Sequence, residues 1–164
     1  MVFTSKFMPK TLAIHWSILF FLSLNFFLSC TSSDNTGLSG GIDLTEVAKD
    51  SKLNPRERAD KMMEALNAVL REVSKEKDNT KAAAKLDSYL ETNSESLNKI
   101  TQDFGDWSLK ASQEDLMEYI GGLQSKPFYA ELDSNLTFVG YRMMESPELE
   151  KSMTKLLALI NPPA

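Results

Sequence analysis

From residue 54 onward, apolar and polar positions alternate with the period of a helix. Ala59, Met62, Leu66, Val69 and Val73 recur at steps of three, four, three and four, with Met63 and Leu70 widening the stripe. Asn54-Pro55 supplies an N-cap and a proline at the first helical position. The pattern therefore predicts a core-facing helix over 55–75. Beyond the polar turn Glu76-Lys77-Asp78-Asn79, with Asn79 or Thr80 as the next cap, Ala83, Leu86, Leu90, Asn93, Leu97, Ile100 and Phe104 keep the same spacing. Two long helices joined by so short a turn must lie antiparallel. Asn93 is the polar member of their seam, expected either to mark a bend or to fix the register.

The second half of the chain predicts shorter helices. Gly105-Asp106-Trp107 reads as a change of direction, and Ser112 with Asp115 has the spacing of a capping box for a helix over 113–121, ended by Gly121-Gly122. A fourth segment opens between Ser125 and Pro127 and places Phe128, Leu132, Leu136, Val139 and Met143 along one side. Ser146-Pro147-Glu148 joins an N-cap, a proline and an acid in the first turn, followed by Leu149, Met153, Leu156 and Ile160 at helical spacing, with Pro162-Pro163 as the stop. The expected fold class is all-α: a compact bundle of four to five helices over 54–164, containing an antiparallel long-helix hairpin and preceded by a flexible tether. Asp43 and Glu46 mark one further short helix, over 43–49.

The first thirty residues obey another pattern. They hold no acid, two cations (Lys6 and Lys10), an apolar run Thr11–Leu28, and then Ser29-Cys30 followed by polar residues. Cations ahead of an apolar run are the layout of a secretory signal. Phe27-Leu28-Ser29-Cys30 resembles the lipobox of bacterial lipoproteins; Phe27 stands where that family usually carries Leu, Val or Ile, while Ser29 and Cys30 meet the need for a small residue and then Cys. The resemblance implies that residues 1–29 are a signal peptide, that the Cys30 thiol receives a diacylglyceryl group, and that the new amine is acylated after cleavage. It further implies a cell-envelope location, held to the lipid bilayer through acylated Cys30. Thr31 in place of Asp goes with the outer membrane where there are two. An uncleaved span of the 18-residue apolar run and cleavage by an ordinary signal peptidase remain open as other readings. Residues 30–53 then form the lipidated Cys and a tether, since Thr31–Gly41 is too poor in apolar side chains to offset the entropy of ordering.

Composition matters once that boundary is drawn. The only His (His15) lies in the signal, and the only Cys is Cys30. The net charge of −5 becomes −7 from residue 31 onward, because two cations and no acids are lost. A body with neither imidazole nor thiol excludes c-type haem and zinc sites built from His and Cys, and lacks the commonest general base. No cofactor and no catalysis are expected. Ser96-Leu97-Asn98-Lys99, Ser152-Met153-Thr154-Lys155 and Asp103-Phe104-Gly105 copy fragments of catalytic motifs without their companions. Asp87, Glu91 and Glu95 read as a solvated acidic face, with weak Ca²⁺ or Mg²⁺ association as the other option. The methionines read as core filling, with a soft metal site or an adaptable groove as the other options.

Residues 111–145 carry six acids against Lys126 and Arg142, together with several aromatics. Glu114, Asp115, Glu118, Tyr119 and Tyr129 are accordingly the candidate partner face. Nucleic acid and anionic lipid surfaces are poor partners for such a body. The expected role is a non-catalytic binding or scaffolding module for an envelope protein, with a carrier of a small apolar ligand as the alternative.

Overall fold

Local capping decides where the helices begin. The computed structural model describes residues 43–161; among them are six helices and no strand. They are α1 (Leu44–Lys49), α2 (Pro55–Lys75), α3 (Asn79–Lys110), α4 (Gln113–Gln124), α5 (Pro127–Met143) and α6 (Pro147–Ile160). The fold is the all-α bundle that the periodicity predicts. The signal segment 1–29, Cys30, the tether Thr31–Gly41 and the stop at Pro162-Pro163 lie outside the described residues.

At the start of α2 the Asn54 side chain accepts from the Glu57 N–H, and the Glu57 carboxylate accepts from the Asn54 N–H. This reciprocal pair satisfies two otherwise orphaned donors. Ser112 and Asp115 repeat the device at α4, and the Ser146 hydroxyl accepts from the Leu149 N–H at α6. For α3 the cap is Asp78, which accepts from the Lys81 N–H, one residue ahead of the expected Asn79.

Two predicted helix ends are displaced. α3 passes through Gly105 and turns only at Ala111-Ser112, because Phe104 and Trp107 on its last turns both pack on Tyr119 of α4. A glycine inside a helix costs about 1 kcal/mol, less than those contacts supply. α4 likewise runs through Gly121-Gly122 to Gln124. Neither glycine adopts the left-handed backbone that a glycine stop requires, and the Ser125 hydroxyl donates to the Gly121 carbonyl.

α2 and α3 form the antiparallel hairpin, tied near its open end by Arg58 Nη1 to Asp103 Oδ2 at 2.7 Å. α5 runs parallel to α2, as the pairs Asn67–Glu131 and Ser74–Asn135 require. α6 descends along the first part of α3, where Lys155 Nζ meets Asp87 at 2.8 Å. α2, α3, α6 and α5 thus close a ring, and α4 is the crossover between the far end of α3 and the start of α5. Leu66, Leu70, Leu86, Leu97, Val139 and Leu156 are among the side chains of its continuous core.

The folded body starts earlier than residue 54. α1 packs on α2 and α3, its Leu44 is 0% exposed, and Val47 and Ala48 are buried with it. Asp43 caps it by accepting from the Thr45 N–H at 2.8 Å. Asn93 Oδ1 accepts from the Leu44 N–H at 3.1 Å, while its Nδ2 donates to the Tyr89 carbonyl. Asn93 therefore satisfies one of the first N–H groups of α1, which have no partner within their own helix. Residues 43–53 belong to the bundle, although the sequence assigns them to a tether over 30–53.

Candidate interaction surface

Glu131 and Arg142 of α5 turn toward α2. Glu131 accepts from Asn67 Nδ2 at 2.8 Å and from both Nε and Nη2 of Arg71. Asn67 is 2% exposed; its Oδ1 accepts from Asn135 Nδ2, and Asn135 Oδ1 accepts from the Ser74 hydroxyl, each at 3.1 Å. At the penultimate position of α5, Arg142 donates to the Val73 carbonyl at 3.0 Å and to Asn79 Oδ1. It thereby serves a carbonyl at the end of α2 that no helical N–H can reach. The result is a polar ladder along the whole α2–α5 seam.

Hydrogen bonds from Arg71 hold the Glu131 carboxyl below its usual range, and the guanidinium is raised in return. The folded state thus favours ionised Glu131. Its contribution is present above the ordinary glutamate range and is lost as pH falls through the folded-state value. Glu131→Gln should lower stability at neutral pH and shrink the loss on acidification; urea midpoints at neutral and acid pH, for both proteins, measure the difference.

With those charges turned inward, the outer face of α5 carries none. Ala130, Ser134, Thr137, Phe138 and Tyr141 follow one another along it, and Met144 extends the stripe past the helix end. Phe138 is 50% exposed, Tyr141 54% and Met144 75%. The Arg142 guanidinium lies 5.8 Å from the Phe138 ring centroid and steadies the ring from the α2 side. Asp133, partly buried, has no basic partner among the described residues. Burial pushes its carboxyl up, and pushes up the phenol of Tyr129 with help from the Asp133 charge.

The five residues predicted to share a partner face do not come together. Glu114, Asp115 and Glu118 are exposed on α4, with Asp115 held low by its bonds to Ser112 in the capping box. Tyr119 points the other way. Its hydroxyl donates to Asp60 at 3.1 Å, and its ring centroid lies 5.2 Å from Phe104 and 5.7 Å from Trp107. Burial raises its phenol well above the ordinary value. Arg56 over Trp107 and the Lys126–Asp60 ion pair complete this cluster, which fastens α4 to the hairpin. Tyr129 sits apart, half-buried on α5.

Met62 and Met153 are buried, Met63 and Met143 pack on the core, and Met117 and Met144 are exposed. Among the described residues no group of His, Cys, Asp and Glu is placed to hold a metal ion, and no helix is long and apolar enough to cross a membrane. An open depression beside the α2–α3 turn is lined by Glu76, Lys81, Ala84, Lys85 and Ser88. No family model matches the chain, and neither a curated protein nor a solved structure proves similar to it.

Proposed function

We propose that the chain is a bacterial envelope lipoprotein, anchored through acylated Cys30, whose helical bundle is a non-catalytic binding module for another envelope protein. The observation that carries the binding role is the outer face of α5, where Phe138 and Tyr141, with Met144 just past the helix end, stand in water while Glu131 and Arg142 turn toward α2. Contiguous exposed apolar groups of this kind mark interaction sites. The anchoring role rests on the order of cations, apolar run and Ser29-Cys30 in the sequence. Residues 31–42 separate that Cys from the folded body, a polar spacer with an r.m.s. reach of roughly 17–21 Å.

The anchor is tested by expressing the full chain in a bacterial host beside Cys30→Ala. The unaltered chain should fractionate with membranes, at the mass of residues 30–164 plus acyl groups. Cys30→Ala should accumulate as unprocessed precursor or leave the membrane after cleavage elsewhere. Identical mass and membrane retention of the two proteins would refute lipidation.

A further inference from the structure

We infer that the outer face of α5 receives a cationic amphipathic helix of a partner protein, whose apolar stripe seats on Phe138 and Tyr141 and whose flanking Lys or Arg residues meet Asp133 and Glu145. The inference rests on the binding-module reading and names the partner's chemistry.

Charge selects the occupant. Between Ser112 and Glu150 the only cations are Lys126 and Arg142. Both are engaged, Lys126 by Asp60 and Arg142 by Asn79 and the end of α2. On the same stretch Asp133, Glu145, Glu148 and Glu150 have no basic partner within salt-bridge distance. Along this stretch the unpaired charges are therefore acidic, and they set a local negative field beside the apolar stripe of α5. Such a field repels anionic lipid headgroups and opposes a second copy bringing the same acids to the same face, whereas it attracts and orients a basic segment. Asp133 is the most demanding of the four. It is partly withdrawn from water beside Tyr129, so an incoming ammonium or guanidinium would restore the solvation that burial removes.

Shape agrees with charge. Ala130, Ser134 and Thr137 are small and share the outer side of the helix, so a second helix can approach closely there. Phe138 and Tyr141 then stand as aromatic anchors, and Met144 as an adaptable contact at the end of the stripe. This is the helix-on-groove mode of recognition, read by apolar residues at helical spacing.

The full chain, reconstituted in nanodiscs of zwitterionic lipid, is titrated against a fluorescein-labelled synthetic helix of about 18 residues, five turns, with Leu on one side and Lys at its flanks. A scrambled peptide of the same composition and a Leu/Glu counterpart serve as comparisons. Anisotropy should report saturable binding of the Leu/Lys helix alone, weakening as salt is raised. Phe138→Ser with Tyr141→Ser, both exposed and outside the core, should weaken it about tenfold or more. Asp133→Asn should weaken it less and reduce its salt dependence. Equal binding to empty nanodiscs, or to the Leu/Glu helix, would overturn the partner's chemistry. Unchanged affinity in the Phe138/Tyr141 double variant would overturn this face while leaving a binding role elsewhere on the bundle intact. A dimer by light scattering that the double variant abolishes would assign the face to self-association instead. The Cys30 fractionation reads anchoring separately from all of these outcomes.

Discussion

Leu44→Ala is expected to lower the stability of the folded body by about 3 kcal/mol, a fall of roughly 10 °C in Tm. Leu44 is fully enclosed, so truncation removes its burial and leaves a cavity against α3. The effect should be larger than for an ordinary core leucine of a long helix, because α1 has only six residues and cannot persist without its packing. Its loss also strands the Asn93 side chain, whose Oδ1 binds the Leu44 N–H. Asn93→Ala should therefore cost less in the Leu44→Ala background than alone, a coupling read from a double-mutant cycle of urea midpoints. Lys52→Ala, exposed in the following turn, is the comparison and should leave the midpoint where it is. An unchanged Tm for Leu44→Ala would remove residues 43–53 from the cooperative unit.

A cost of similar size, about 3 kcal/mol, is expected for Asn67→Leu. The substitution keeps the volume but deprives Glu131 of one donor and the Asn135 amide of its acceptor, at a position that is itself buried. Removing one partner of a buried polar pair costs more than removing both. Adding Asn135→Leu should consequently restore part of the lost stability, although two substitutions are then present. Thermal unfolding followed by circular dichroism ranks the three proteins. A double variant less stable than the sum of the single ones would contradict the ladder as drawn.

How much of this architecture can be read from sequence depends on how local the deciding interaction is. The starts of α2, α4 and α6 are legible because the cap and the first-turn acid, joined by a proline in α2 and α6, lie within four residues of one another. The ends of α3 and α4 are not, since Gly105 and Gly121-Gly122 carry a local penalty that packing from elsewhere in the chain outweighs. Inward-facing polar residues are hidden for a related reason. Apolar periodicity assigns a polar position to the outside, yet Asn67, Glu131 and Asn135 all bond across helices. That same assumption conceals the face of α5: the core stripe Phe128, Leu132, Leu136, Val139 and Met143 excludes Phe138 and Tyr141, but nothing in it turns Glu131 and Arg142 away from them. Tyr119 fails in the opposite direction. It shares a helix with Glu114 and Glu118, and only the course of α4 across the end of the hairpin shows which side of that helix is enclosed.

The seating of α1 has a mechanical side. A pull arriving through residue 42 enters the body at Leu44 and meets three buried side chains and one hydrogen bond to Asn93, not the long seam between α2 and α3. Residues 43–53 are thus the first to peel, and drawn straight they add about 35–40 Å of chain. The bundle carries a short reserve of slack on its N-terminal side, released before any load reaches the main core.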